Sequence, residues 1–94
     1  MPVVRIEHSV PDFDAWKQVF DSDPAGRKGA GVRRYSVSRL HDDPNFVFID
    51  LEFGSMDDVA PFLAAMRKLW GGPAAAIALQ PTARVADVVE TVEL

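Results

Sequence analysis

The spacing of apolar residues along this 94-residue chain switches between alternation and a three-to-four residue repeat, and each switch marks a new element. Val3 to Val10 is β-branched and sets Val4, Ile6 and His8 against Val3, Arg5 and Glu7, which predicts a strand. Pro11 ends it. Asp12 is a suitable N-cap for a helix in which Phe13, Trp16, Val19 and Phe20 form one stripe through about Asp21. From Ser22 to Gly31 a proline and the glycines 26, 29 and 31 predict a mobile connection with room for a lid. Val32 to Leu40 alternates again, with Val32, Arg34, Ser36 and Ser38 on one face and Arg33, Tyr35, Val37 and Arg39 on the other.

His41-Asp42-Asp43-Pro44-Asn45 is dense in turn formers, and Phe46 to Phe53 beyond it is the strongest strand signal in the chain. The two strands therefore make a hairpin. Setting Leu40 opposite Phe46 puts Ser38 by Phe48, Ser36 by Asp50 and Arg34 by Glu52 on one side, with Val37 by Ile49 and Tyr35 by Leu51 on the other. Ser55 caps a second helix whose first turn holds Asp57 and Asp58, where the helix dipole favours them. Val59, Phe62, Leu63, Met66, Leu69 and Trp70 share its buried face, and Pro61 predicts a kink or two short pieces. Gly71-Gly72-Pro73 stops the helix, Ala74 to Leu79 has room for a further turn or two, and the last strand runs from about Thr82 to Val92.

The order strand, helix, strand, strand, helix, strand is the split βαβ arrangement: an α+β, ferredoxin-like βαββαβ domain over residues 1–94, with a four-stranded antiparallel sheet. Helices cover one face of such a sheet. Val47, Ile49, Leu51 and Phe53 must meet them, which leaves Phe46, Phe48, Asp50 and Glu52 on the far side, where an isolated monomer exposes aromatic rings beside charge. A homodimer with Arg34, Phe46, Phe48, Asp50 and Glu52 in its interface is the expected remedy, since a domain this small buries a limited share of its own surface.

Composition narrows the partners. The net charge is −4, and the ten Lys and Arg residues are scattered rather than massed into a stripe, so no nucleic-acid partner is expected. The chain has no cysteine, which removes thiolate nucleophiles, disulfides and Cys-ligated metals together. Charges recur every few residues from the N-terminus, so neither a signal peptide nor a membrane span is expected, and the expected location is the cytoplasm.

The run Val10-Pro11-Asp12-Phe13-Asp14-Ala15-Trp16-Lys17, the hairpin Arg39 to Asn45, Glu52-Phe53-Gly54-Ser55 and Phe62-Leu63 resemble the small dimeric α/β-barrel proteins. Within that group they are most similar to small actinobacterial proteins near the antibiotic biosynthesis monooxygenases, often labelled cyclases. The resemblance implies that two subunits pack sheet against sheet into a barrel, with a small ligand between sheet and helices in each. Cofactor-free oxygenation of polycyclic aromatics and haem degradation both occur in that group, and a shared fold transfers neither. The haem-degrading branch carries a His about ten residues past the tryptophan that ends the second helix. Gln80 holds that place and no His follows His41, so neither haem nor another cofactor is expected.

Trp16 and Trp70, with Phe13, Tyr35, Phe62 and Met66, have the spacing to line an aromatic, substrate-binding pocket, although such stripes are more often plain core. His8 is the polar candidate. It sits at the end of the first strand on the face of Val4 and Ile6, and its ordinary pKa near 6.5 suits proton transfer, so it is the candidate catalytic residue. By position it matches the place where oxygenases of the resembled group carry a polar residue, often asparagine. His41, Asp42 and Asp43 lie together in a turn without a spaced further ligand, so no metal is expected. Arg33, Arg34, Arg39 and Arg67 are candidate anion binders, with Arg34 better explained as the cross-strand partner of Glu52. Asp50 and Glu52 share a face in a way that can raise a carboxylate pKa, yet Arg5 and Arg34 are at hand to neutralise them. Two readings follow: a cofactor-independent monooxygenase or cyclase acting on an aromatic or polyketide-like substrate, or a non-catalytic, stress-related or binding dimer whose core is filled by its own side chains.

Overall fold

The computed structural model describes residues 1–94 as β1 (Pro2–Ser9), α1 (Phe13–Asp21), β2 (Val32–Leu40), β3 (Asp43–Phe53), a 3₁₀ turn (Met56–Asp58), α2 (Val59–Trp70) and β4 (Leu79–Asp87). Hydrogen bonding orders the sheet β2-β3-β1-β4, with every neighbouring pair antiparallel. This is the ferredoxin-like βαββαβ fold. Alternation decides what each face carries. Val4, Ile6 and His8 of β1 stand opposite Leu51, Ile49 and Val47 of β3, and these residues, with Phe53, are buried beneath the helices. Trp16 of α1 and Val59, Phe62 and Leu63 of α2 close the core over them.

The helix ends follow from local chemistry. Asp12 is extended, and its carbonyl accepts from the Trp16 amide at 3.1 Å, but its side chain makes no cap bond. Ser55 does cap, its hydroxyl accepting from the Asp57 amide at 3.2 Å. α2 runs unbroken through Pro61. A 3₁₀ turn precedes α2, so the proline falls in the first turn of the α-helix, where its missing N–H has no partner to lose.

The hairpin register matches the pattern-based one from Arg34↔Glu52 through Ser38↔Phe48 and departs from it at both ends. Leu40 pairs with Asp43, not with Phe46, because the ladder shifts after Arg39 and lets β3 begin three residues earlier than its apolar run. The Asp43 carboxylate accepts from the Asn45 amide at 3.0 Å, and the Arg39 side chain donates to the Pro44 carbonyl at 3.0 Å, holding that irregular stretch. At the other end the ladder shifts between Val32 and Arg34. Val32, opposite Phe53, therefore joins the core rather than the face of Arg34.

β4 also ends earlier than its alternation suggests. Asp87 pairs with Pro2, the first residue of β1, so residues beyond Asp87 have no strand of this chain left to pair with. Residues 74–78 form hydrogen-bonded turns and no helix. The 22–31 connection is a series of turns as well, tied by Arg27 N–H to Asp23 Oδ1 at 2.9 Å, Ala30 N–H to the Gly26 carbonyl at 2.9 Å and Val32 N–H to the Arg27 carbonyl at 3.0 Å. Gly26 and Gly31 serve backbone geometry there, both at positive φ. Gly31 has φ 102°, and a Cβ there would lie 2.4 Å from Asp58 Oδ2. Gly31→Ala is expected to lower the unfolding free energy by about 1–3 kcal/mol in urea titrations, from strained backbone and a displaced Asp58.

Candidate functional site

Between the helix-covered face of the sheet and the two helices lies a small cavity. Its floor is Ile6 and His8 of β1 with Ile49 and Leu51 of β3. Trp16, Val19 and Phe20 of α1 form one wall, and Met66, Leu69 and Trp70 of α2 the other. The roof comes from two connections, Asp23 to Arg27 on one side and Ala74 to Ala78 on the other. The lining is mostly apolar and the volume is about 70 Å³. That is about half of a ~150 Å³ apolar cavity able to hold a benzene.

His8 supplies the polar atom of the floor. It is 3% exposed, and its ring meets Trp16 edge-on with centroids 5.6 Å apart. Nδ1 donates to the Ser9 carbonyl at 3.1 Å, which selects the tautomer with the proton on Nδ1. Nε2 then carries a lone pair. No protein group hydrogen-bonds it, and no fully buried side-chain nitrogen in the structure lacks a partner, so Nε2 retains some accessible surface in a residue that lines the cavity. Burial holds the His8 pKa below its ordinary 6.5, against the weaker opposing effect of the Ser9 carbonyl. At neutral pH the ring is therefore an acceptor and a base.

The depressed pKa has a consequence for stability. Between the folded-state value and 6.5 the unfolded chain binds a proton that the folded chain refuses, so stability falls as pH drops through that window and is fully present above it. Urea unfolding is expected to show a lower midpoint at pH 5.5 than at pH 7.5, with a slope of up to ~1.4 kcal/mol per pH unit, and His8→Gln is expected to flatten it.

Trp16, Met66, Trp70 and His8, all singled out by spacing, meet around this cavity. Tyr35 and Phe62 do not. Tyr35 lies near the edge of the sheet, 44% exposed, with its ring against Phe20 at 5.3 Å. Phe62 is 3% exposed and stacks edge-on with Phe53 at 5.2 Å, so its helical position points it into the core and away from the space beside His8. Arg27 is the residue that spacing overlooked. It donates from Nη1 to the Phe20 carbonyl at 2.9 Å, lies 3.4 Å from Asp23 Oδ1, and covers the Phe20 and Tyr35 rings at 4.0 and 4.7 Å. A cation inside a glycine-rich connection gives no periodic signal, and only its tertiary contacts reveal it as part of the roof.

The far face of the sheet is charged and internally matched. Arg5 grips Asp50 through two hydrogen bonds of 2.9 and 3.1 Å, Arg34 grips Glu52 likewise, and Arg84 reaches Glu7 at 3.2 Å. The hydrogen bond from Arg34 holds the Glu52 carboxyl below the usual carboxylate range, opposite to what a general acid needs. Phe46 and Phe48 sit among these pairs, half-buried and edge-to-face at 5.3 Å, with the Arg5 guanidinium 5.5 Å from the Phe48 ring centre. Arg39 is engaged with Phe13, its guanidinium 4.1 Å from the ring centre. No three His, Asp or Glu residues gather as a metal site, His41, Asp42 and Asp43 included. No helix is long and apolar enough to cross a membrane.

The fold has well-matched relatives among solved structures. SnoaB, a cofactor-independent oxygenase from Streptomyces nogalater, superposes with a TM-score of 0.74 at 18% identity over 97% of this chain and 95% of its own. An antibiotic biosynthesis monooxygenase aligns at 0.66 and 14% over 96% and 100%. A dimeric ferredoxin-like protein from an uncultured marine organism aligns at 0.65 and 10% over 99% and 98%. No protein-family model matches the sequence, and no curated protein does. At these identities the likeness establishes the fold and leaves the reaction open.

Proposed function

We propose that the protein is a homodimer, joined through the far face of its sheets, in which each subunit holds a small aromatic molecule against His8. The observation that carries this reading is His8, a ring with no hydrogen-bond partner on Nε2, lining an apolar cavity beside Trp16 in a fold that superposes on a cofactor-independent oxygenase. An aromatic hydroxyl would suit that arrangement once the roof or the side chains of Met66 and Trp70 shift, its ring between Trp16 and Trp70 and its O–H donating to Nε2. Passing the proton to Nε2 leaves an electron-rich anion, the shared first step for oxygenation by dioxygen or for ring closure by carbanion attack. His8 would be the base, held in the right tautomer by the Ser9 carbonyl, and the surrounding apolar walls would strengthen the contact by excluding water.

The dimer is supported by the paired aromatic and ionic face, and by the description of two structural neighbours as dimeric ferredoxin-like proteins. A second reading rests on the cavity volume. At about 70 Å³ the space accepts a ring only if its roof of turns or the half-buried Met66 and Trp70 shift, and a protein in which they never do is a non-catalytic dimer with a filled core.

Tryptophan fluorescence separates the two. Titration with a panel of hydroxylated aromatics is expected to perturb Trp16 and Trp70 in the wild type. His8→Ala should stay folded yet bind about tenfold more weakly, the ~1.4 kcal/mol of one polar contact. A wild type that binds no member of the panel, with His8→Ala lowering only the melting temperature, would favour the filled core.

A further inference from the structure

The roof of the cavity is also the wall of a second space. A cleft of about 660 Å³ lies on the other side of the 22–31 connection, against the start of β2, and shares Asp23 and Arg27 with the cavity. Its character is different. Arg27, Lys28, Arg33 and Arg34 face it together with two carboxylates, Asp23 and Asp58, in a chain whose net charge is −4. Arg34 is engaged by Glu52 and Arg27 by Asp23. Lys28 and Arg33 make no ion pair and no side-chain hydrogen bond. The backbone aims one of these two deliberately: the ladder shift between Val32 and Arg34 throws Arg33 out of the strand pairing, and its guanidinium lies where a Cβ on Gly54 would stand, 2.8 Å from that position. Arg27 joins the two compartments, since its guanidinium covers Phe20, a cavity residue, and Tyr35, a cleft residue.

We propose that the ligand of this site has two parts, an apolar ring seated by His8 and an anionic group, of the carboxylate class, reaching past Arg27 to Lys28 and Arg33. This rests on the reading that the cavity takes a small aromatic molecule, and it adds the feature by which the site selects one. Burying a ring supplies affinity without orientation. A carboxylate fixed on the cleft side sets which edge of the ring faces Nε2.

A matched pair of ligands tests it: 6-hydroxy-2-naphthoate and its methyl ester, titrated into the full chain by calorimetry at pH 7.5. The acid is expected to bind about fivefold tighter than the ester, and added salt should erode that preference while leaving the ester unaffected. The double variant Lys28→Gln, Arg33→Gln removes two cations that make no ion pair or side-chain hydrogen bond, so it should abolish the preference and keep the ester affinity. A structural role for the two cations would instead weaken both ligands together. Equal binding of acid and ester by the wild type overturns the anionic subsite while leaving the cavity reading intact, and binding of neither overturns both.

Discussion

Phe48→Asp is expected to dissociate the proposed dimer into monomers, with a loss of about 3–5 kcal/mol from its association free energy. The new carboxylate would stand opposite Glu7 in the β1–β3 register and one side-chain step from Asp50 on the same face. The carboxylates of β1 and β3 on that side already have their arginines: Asp50 with Arg5, Glu52 with Arg34, Glu7 with Arg84. A further one would enter the proposed interface without a partner of its own. Like charges directly opposite each other in a sheet also destabilise the monomer, so some loss of folding stability should accompany the change. Phe48→Leu keeps an apolar side chain at the position and is expected to remain dimeric. Sedimentation velocity at micromolar concentration reads the outcome, and a wild type that sediments as a monomer would refute the interface itself.

The contrast between Phe62→Ala and Trp70→Ala is the second large effect. Both aromatics lie on α2 at positions that helical spacing assigns to one buried face, yet the structure gives them different work. Phe62 is packed on all sides and edge-on to Phe53, itself fully buried. Its truncation is expected to cost about 3–5 kcal/mol, a large part of the total stability of a domain of this size, and to leave ligand affinity unchanged wherever the variant is still folded. Trp70 is half-buried at the end of α2 and lines the cavity. Trp70→Ala is expected to cost well under half as much in urea titration, while altering the affinity for hydroxylated aromatics several-fold. Equal stability losses for the two, with no change in binding, would make Trp70 an ordinary core residue.

Those two residues show where sequence pattern stops being informative. Periodicity of two and of three-to-four residues located the four strands and both helices, because the helix-covered face of β1 and β3 is apolar apart from His8 and any slip by one residue would expose it. The same logic put His8 on the inner face and Arg34 opposite Glu52. Periodicity cannot distinguish a side chain that fills the core from one that borders a void a few ångströms away, and so it grouped Phe62 with Trp70. It also fails wherever a ladder shifts. Val32 was assigned by parity to the wrong face, and Leu40 to the wrong partner, because an inserted residue resets the count. The end of β4 depended on where its partner strand begins, which no property of residues 88–92 encodes. Arg27 was invisible for a related reason, since its role arises from rings and carbonyls that the turns of 22–31 bring near it.

The two irregular ends of β2 bear on which assemblies this chain avoids. β2 is an outermost strand of the sheet, nearly all of it exposed, and a flat outermost strand is a template on which another chain can add itself indefinitely. Here the regular stretch is confined to the residues between Arg34 and Arg39, with a ladder shift just outside each end and a charged arginine at either limit. A strand offered for docking meets a short run, a bend at both ends and three cationic side chains, Arg33, Arg34 and Arg39. Addition to this edge of the sheet into open-ended fibrils is thereby discouraged.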